Sequence, residues 1–263
     1  MKITIIGTGN MGRAIVRGLT GGTLIKPFDI ACADESQDAL DRVREIHGAI
    51  RTFTDNKAAV DAADIVILAV KPWLLEEVIY GIKQALDYER QIIISIAGGV
   101  EFARLDKYLD NHKDVVPALF RLIPNTAVEV RQSMTFIASQ NATQSQIDTV
   151  VRIFDELGTT MLIGERLMAA GTSLASCGIA YAFRYIRAAT EGGVELGLYP
   201  AQAKDVVLQT LKGAVALLEA NGNHPEAEID KVTTPGGLTI KGLNEMENAG
   251  FTPAVVRGLK ASV

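Results

Sequence analysis

Three glycines near the start of the chain could bring a backbone against a phosphate group. They form the pattern Gly-x-Gly-x-x-Gly between a predicted strand and a predicted helix. The first glycine allows a tight turn, the second lets a diphosphate approach, and the third lets the helix pack closely on the strand. Free N–H groups at the helix start favour an anion. The pattern predicts a dinucleotide site, with an unliganded glycine turn as the alternative. Its residues are Gly7, Thr8, Gly9, Asn10, Met11 and Gly12.

Two carboxylates follow the second predicted strand. Asp34 lies about twenty residues after the glycine motif, where a carboxylate can accept hydrogen bonds from the adenosine ribose. A phosphate on that ribose would be repelled by Asp34 and Glu35. The pair therefore favours NADH over NADPH, although Arg13 and Arg42 could offset the repulsion if either lies nearby. The alternative is an ordinary pair of carboxylates at a helix start, where the helix dipole favours negative charge.

Two further loops follow predicted strands at the edge where open α/β sheets bind ligands. The first is Ala69-Val70-Lys71-Pro72, and the second contains Ala97 and Gly98 within Ser95–Val100. Their small residues and proline allow a flat ring to approach closely. Lys71 could contact the cofactor ribose or be a solvated lysine.

A glycine pair near the C-terminus is a candidate anion site. Gly236 and Gly237 precede a predicted helix, and hydroxyls stand beside them at Thr233, Thr234 and Thr239. Exposed N–H groups at a helix start, supplemented by hydroxyls, suit a small carboxylate. A plain capped helix start is the alternative reading of these residues.

The elements that must position these groups form two different patterns. In the first half, short apolar runs alternate with helical patterns, which is typical of a parallel α/β sheet. Beyond about Gly164 no strand is evident, and Ala-rich helical runs take over. The predicted fold class is α/β, with an N-terminal Rossmann-type parallel sheet domain (1–163) followed by an all-α C-terminal domain (164–263). The predicted strands are Lys2–Ile6, Asp29–Ala33, Ile50–Phe53, Ile65–Val70, Ile92–Ile96, Val115–Leu122, Ser133–Ile137 and Thr160–Ile163.

The helical domain is lean in large apolar residues, so we expect it to interlock with a second subunit. Composition excludes several other partners. A net charge of −5 argues against nucleic acid or an anionic membrane. The two cysteines, and histidines at 47, 112 and 224, show no metal-ligand spacing, so no metal is expected. No apolar run is long enough for a membrane helix, and a reducing cytoplasm is the expected compartment.

Several motifs together resemble the pyrroline-5-carboxylate reductase family of proline synthesis over nearly the whole chain. The most specific is the stretch from Thr234 to Leu243, which is similar to the family's C-terminal signature. The others are the glycine motif, Asn56 before an Ala-Asp-Ile-Val segment, Ala69–Pro72, Ser95–Val100 and Arg121–Thr126.

The resemblance implies an NAD(P)H-dependent reductase of Δ1-pyrroline-5-carboxylate that forms an intertwined homodimer, which can assemble further into a ring of dimers. It implies that Asn56 and Asn125 belong to the cofactor site. It also implies that Thr234, Gly236, Gly237 and Thr239 bind the substrate, with Thr239 contacting the ring nitrogen as the catalytic hydroxyl.

Three positions depart from the family pattern. Ala175-Ser176-Cys177-Gly178-Ile179 stands where Ser-Gly-Ser-Gly-Pro is usual, and Ala127 replaces a proline after Asn125-Thr126. These two bear on substrate shape. Asp34-Glu35-Ser36 stands where Asn-Arg-Ser often suits a 2′-phosphate, which again favours NADH.

Three alternative functions fit parts of the sequence. A β-hydroxyacid dehydrogenase needs a lysine after the first domain, and no lysine occurs between Lys113 and Lys204, which argues against it. A non-catalytic dinucleotide-binding homologue is compatible with the altered segment at Ser176 but leaves the loop at Thr239 unexplained. A reductase of a related cyclic imino acid, such as a six-membered one, stays open.

Overall fold

The computed structural model describes residues 1–111 and 115–263, and it divides into two compact units, Met1–Ser176 and Cys177–Val263. The predicted division after residue 163 falls earlier in the chain. His112 and Lys113, named above, lie outside the described residues. Among the helices in the described part of the chain, none has the length and apolar character needed to cross a bilayer.

The first unit contains one eight-stranded sheet in the order β3-β2-β1-β4-β5-β6-β7-β8. Strands β1 to β6 are parallel, β7 is antiparallel to β6, and β8 is parallel to β7. The predicted Rossmann-type sheet is therefore confirmed, with an antiparallel addition at one edge. The strands are β1 Ile3–Ile6, β2 Ile30–Ala33, β3 Arg51–Phe53, β4 Ile65–Leu68, β5 Ile92–Ser95, β6 Ala118–Ile123, β7 Ser133–Gln140 and β8 Gly158–Leu162.

The central strands are buried because both faces of the sheet are covered. In β1 and β4, apolar side chains at odd positions join one cluster and those at even positions the other, as the pleat requires. Ile5 and Ile67 pack on one face, and Ile6 and Leu68 on the opposite face. This double burial explains why the strands read as continuous apolar runs in the sequence.

Six helices of the described part of the chain cover this sheet. Phe102, Leu105 and Leu109 are the buried face of α5, at helical spacing. Helix α6 begins with a capping box formed by Thr143 and Gln146, a recognisable start signal. The helices are α1 Asn10–Thr20, α2 Gln37–Arg44, α3 Asn56–Val60, α4 Leu75–Ile82, α5 Phe102–Leu109 and α6 Gln144–Asp155.

The predicted strand Val115–Leu122 begins only at Ala118. Pro117 immediately precedes it, and a proline has no N–H to donate to a sheet ladder. At its other end the strand runs one residue further than predicted, to Ile123, which brings the Pro124 turn to the ligand-binding edge of the sheet.

The first of the Ala-rich helical runs beyond Gly164 consists of several helix types. It starts with a 3-10 turn, Glu165–Leu167, and the short helix α7, Met168–Gly171. A π-helical segment, Thr172–Cys177, follows. Helix α8, Gly178–Glu195, then begins the second unit.

The second unit is all-α, as predicted. Gly193 of α8 faces Ala203 of α9, where a Cβ on the glycine would lie 2.9 Å from the alanine methyl. Gly250 follows α11 in the left-handed region at φ +85°, which suits a glycine at the C′ position of a helix. The helices after α8 are α9 Pro200–Asn221, α10 Pro225–Val232, α11 Leu238–Asn248 and α12 Phe251–Lys260.

A carboxylate in the first unit ties the loop after α1 to the end of α6. Glu156 accepts hydrogen bonds from the Thr23 hydroxyl (2.5 Å) and from the N–H groups of Thr23 (2.8 Å) and Leu24 (3.0 Å). Partial burial by itself would raise the pKa of Glu156, but these bonds and the charge of Arg131 lower it below its ordinary value of 4.5. The ionised form is therefore the one that the fold stabilises.

We expect Glu156→Gln to lower the free energy of unfolding at pH 7 by about 1–2 kcal/mol, because hydrogen bonds to a charged acceptor are replaced by bonds to a neutral one. A carboxyl whose pKa is lowered by folding stabilises the fold above its unfolded pKa, and this stabilisation is lost as the pH falls through the folded value. The difference in the free energy of unfolding between variant and wild type should accordingly become smaller below about pH 4.5. Urea unfolding at several pH values measures this, with Glu89→Gln, an exposed glutamate, as control. Equal differences at all pH values would contradict the assignment.

Candidate functional site

The glycine motif adopts the tight turn that its residues predict. Gly7 has φ +93°, and a Cβ there would lie 2.8 Å from the carbonyl oxygen of Ala69. A Cβ at Gly12 would lie 2.0 Å from the carbonyl oxygen of Gly7, so only glycine lets α1 pack on this turn. At Gly9 a Cβ would meet nothing within 4 Å, so its backbone borders open space.

Helix α1 presents an uncapped N-terminus to that space. Its N-cap residue is Gly9, and no side chain accepts a hydrogen bond from the first turn. Orphan N–H groups at a helix start attract anions. The glycine loop and helix start therefore fit the diphosphate of a dinucleotide.

Asp34 fastens the glycine loop to the end of β2. Its Oδ2 accepts hydrogen bonds from the N–H (2.7 Å) and the hydroxyl (2.9 Å) of Thr8, and its Oδ1 accepts one from the N–H of Ser36 (3.0 Å). Thr8 is fully buried. Sequence reasoning placed Asp34 against the ribose but did not foresee that it also holds the loop. Glu35 is exposed beside it.

Arg13 also braces the loop. Its guanidinium donates to the carbonyl oxygen of Thr8 (2.8 Å) and to the side-chain oxygen of Asn10 (3.1 Å). Arg13 is one of the two arginines that could offset the charge of the acidic pair. These bonds direct it toward the glycine turn instead. Arg42, the other, is exposed on α2 and does not line either of the two cavities described next.

A cavity of about 660 Å³, here called the main cleft, lies along the carboxyl ends of the central strands. It brings together residues from four separate predicted segments. The predicted cofactor residues that line it are Gly7, Gly9, Asn10, Met11, Asp34, Ala69, Val70, Lys71, Pro72, Ala97 and Gly98. Gly12 packs behind the loop rather than lining the cleft.

A second cavity, of about 480 Å³, adjoins the main cleft and is here called the side cavity. The two share Gly7, Asp34, Val70 and Leu74. The predicted residue Asn56 lines the side cavity with Glu35 and Lys57. The side cavity lies at the ends of β2 and β3, which is where the adenosine half of a dinucleotide belongs in this topology.

Asn125 lies behind the main cleft instead of lining it. The residue is buried, and its side-chain oxygen accepts from the N–H of Ala127 (2.9 Å). Its amide nitrogen reaches the carbonyl oxygen of Ala175 (3.4 Å) in the π-helical segment. Asn125 thus positions the β6 turn and the π-helical segment, and its contact with the cofactor stays a prediction.

Several cleft residues were missed by sequence reasoning. Ile96, Ile123 and Pro124 belong to motifs that had been recognised, so their position after predicted strands was the available signal. Thr172 and Ser176 come from the π-helical segment, whose side chains do not follow the 3.6-residue period. The remaining missed lining residues are Leu74 and Thr126.

An ion pair fixes the chain just before that segment. Arg121 on β6 is 6% exposed, and its guanidinium lies 2.5 Å from Oε1 of Glu165. The same oxygen accepts a hydrogen bond from the N–H of Phe102 at the start of α5 (2.6 Å). A buried charge without its partner costs several kcal/mol, so the pair anchors the turn that leads into α7.

In the second unit, the predicted carboxylate loop ends at a helix start. Gly236 has φ +70°, and the N–H of Gly237 donates to the carbonyl oxygen of Thr234 (2.9 Å). Helix α11 begins at Leu238 with Gly237 as an N-cap that provides no side-chain hydrogen bond. Thr239 is exposed in the first turn. Free N–H groups and a hydroxyl are therefore available together.

Within the described residues, no group of three His, Cys, Asp or Glu side chains could hold a metal ion. Burial, and to a smaller degree the charge of Asp34, raises the pKa of the Cys32 thiol to about 12. Cys32 is therefore an apolar core residue of β2.

Comparison with known proteins matches both units. Residues 165–263 match the family model described as pyrroline-5-carboxylate reductase dimerisation, and residues 2–99 match the one described as NADP oxidoreductase, coenzyme F420-dependent. Pyrroline-5-carboxylate reductase 1 of Dictyostelium discoideum is 36% identical over 99% of this chain, which spans only 48% of that relative's length.

Two other relatives are similar along their whole length. The crystal structure of Plasmodium falciparum pyrroline carboxylate reductase with NADP bound superposes with a TM-score of 0.90, at 26% identity, covering 100% of this chain and 95% of that one. The pyrroline-5-carboxylate reductase of Methanosarcina acetivorans is 35% identical, over 99% of this chain and 96% of that protein. The chain therefore belongs to the pyrroline-5-carboxylate reductase family.

Proposed function

We propose that this protein reduces Δ1-pyrroline-5-carboxylate to L-proline with a nicotinamide dinucleotide. The observation that carries the proposal is the pairing, in one chain of this family, of a dinucleotide cleft with an open helix start suited to a carboxylate. The cleft accounts for the cofactor, and the loop from Thr234 to Thr239 accounts for an imino acid.

The chain's own residues have an undemanding task in this reaction. The C=N carbon of a protonated cyclic imine is already electrophilic, and a reduced nicotinamide bound in the cleft would supply the hydride. The substrate carboxylate binds to the N–H groups at the start of α11, and the hydroxyl of Thr239 orients the ring nitrogen. Apolar side chains of Ile96, Ile123 and Pro124 keep water from the reacting end of the cleft.

The apolar surface of the second unit supports a homodimer as the functional form. Apart from Ala203, no helical residue of the second unit is buried within the single chain. Phe183 is 58% exposed and Leu238 is 87% exposed. Apolar area of this extent is normally covered by another subunit, which agrees with the dimerisation description of the matching model. A ring of such dimers is a further part of the proposal.

NADH is the proposed preferred cofactor. Asp34 and Glu35 both line the side cavity, and the lysine that lines it with them is Lys57. Arg13 is engaged on the glycine loop. A 2′-phosphate on the adenosine ribose would thus meet two carboxylates with only a partial offset.

The reaction is tested by adding pyrroline-5-carboxylate to purified protein with NADH or NADPH and following absorbance at the nicotinamide band. We expect imine-dependent oxidation of both, with the larger kcat/KM for NADH. A six-membered piperideine carboxylate serves as the comparison substrate. Failure to oxidise either cofactor with the five-membered imine, in a folded dimer, would refute the proposed reaction.

Replacing Thr239 tests the hydroxyl assigned to the imine nitrogen. We expect Thr239→Val to lower kcat/KM for the imine by about tenfold to a hundredfold, since a positioned hydroxyl is lost from the transition state. Cofactor binding should be unchanged. The matched control is Thr239→Ser, which keeps the hydroxyl and should retain most activity. Equal losses in both variants would instead assign Thr239 a packing role.

Replacing Glu35 tests the cofactor preference. One charge beside a 2′-phosphate in a solvated cavity is worth about 1 kcal/mol, so Glu35→Gln should raise kcat/KM for NADPH about fivefold while leaving that for NADH nearly unchanged. Glu45→Gln, an exposed glutamate that lines neither cavity, is the control. An unchanged NADPH-to-NADH ratio would show that Glu35 does not discriminate.

A further inference from the structure

The hydroxyl of Ser176 occupies a distinctive place in the main cleft. It projects from the π-helical segment Thr172–Cys177, is half-buried, and lines the cleft one turn after Thr172. Among the described residues it has no hydrogen-bond partner. A half-buried hydroxyl that meets no protein group is an open position for a ligand group.

The sheet order indicates which part of a dinucleotide reaches Ser176. The side cavity lies at the ends of β2 and β3, and the uncapped start of α1 follows at the end of β1. The main cleft then continues past the ends of β4, β5 and β6, in that spatial order, to the π-helical segment. With the adenosine at one end and the diphosphate on α1, the nicotinamide lies toward β5 and β6, at the Ser176 end.

At this end the nicotinamide carboxamide needs polar partners. The nearby lining is largely apolar, including Ile96, Ile123 and Pro124. The hydroxyls of Thr172 and Thr126 also line this end. The Thr172 hydroxyl donates a hydrogen bond to the carbonyl oxygen of Met168 (2.8 Å), and Thr126 is exposed to solvent. Ser176 therefore combines partial burial with a free donor and free acceptor positions.

We infer that the Ser176 hydroxyl binds the carboxamide of the nicotinamide ring and sets the ring's orientation. A carboxamide offers both N–H donors and a carbonyl acceptor, and a serine hydroxyl can serve either. Asn125, which reaches the carbonyl oxygen of the neighbouring Ala175, helps to hold the segment in place. The inference rests on the cofactor assignment of the proposed function and concerns a position where the family resemblance shows glycine.

The test compares two ligands that differ by the nicotinamide. NAD⁺ carries the carboxamide, whereas ADP-ribose keeps the adenosine, diphosphate and second ribose but lacks the ring. By isothermal titration calorimetry without imine, we expect Ser176→Ala to weaken NAD⁺ binding about fivefold to tenfold, the effect of one hydrogen bond. Binding of ADP-ribose should be unchanged.

A general loosening of the cleft would weaken both ligands together, so the ratio of the two dissociation constants reports the contact itself. Ser176→Gly is the second variant and should change that ratio in the same direction. Ser139→Ala, which removes an exposed hydroxyl on β7 outside the cleft, should not change it.

An unchanged ratio in both Ser176 variants overturns the inference. If, in addition, the KM for the imine rises, the hydroxyl faces the substrate instead. The outcome is independent of the proposed reaction, because neither ligand requires the imine. A wild-type protein that binds NAD⁺ yet oxidises no NADH with pyrroline-5-carboxylate would refute the reaction while leaving the Ser176 contact intact.

Discussion

The first unit depends on one close approach, that of α1 to the turn after β1. The carbonyl oxygen of Gly7 occupies the space that a side chain at Gly12 would need, and Gly7 itself is pressed against Ala69 after β4. Three neighbouring elements therefore meet where neither Gly7 nor Gly12 has room for a side chain. Because they meet so closely, the start of α1 faces the cleft with its N–H groups free, and the strand ends beside it form one continuous edge for a ligand.

The carboxylate of Asp34 makes that turn rigid and also gives it charge. Three hydrogen bonds from Thr8 and Ser36 hold the carboxylate in place, so the protein fixes its orientation before a ribose binds. Preorganisation of this kind lowers the cost of binding. It also separates two roles within the acidic pair. Asp34 cannot be altered without disturbing the glycine loop, whereas Glu35 is exposed and carries charge without supporting the fold.

Much of this arrangement could be predicted because it follows from backbone rules. A glycine motif between strand and helix requires the turn seen at Gly7, and apolar runs such as Ile65–Leu68 require a sheet covered on both faces. Contacts that depend on long-range packing could not be predicted in the same way. The bond between Thr8 and Asp34 joins residues 26 positions apart, and Asn125 reaches Ala175 across 50. Local spacing carries no information about such pairs.

The π-helical segment shows why the least regular element lies next to the cleft. In a regular helix from Met168 onward, hydroxyls four residues apart would also lie on one face, but with unstrained backbone hydrogen bonds. A π-helix widens the turn and is usually retained only where function compensates for its poorer hydrogen bonding. Here Glu165, paired with Arg121, fixes the chain before the segment, and Asn125 holds its middle. The irregular turn is thus supported from the sheet, and Thr172 and Ser176 are both directed at the cleft.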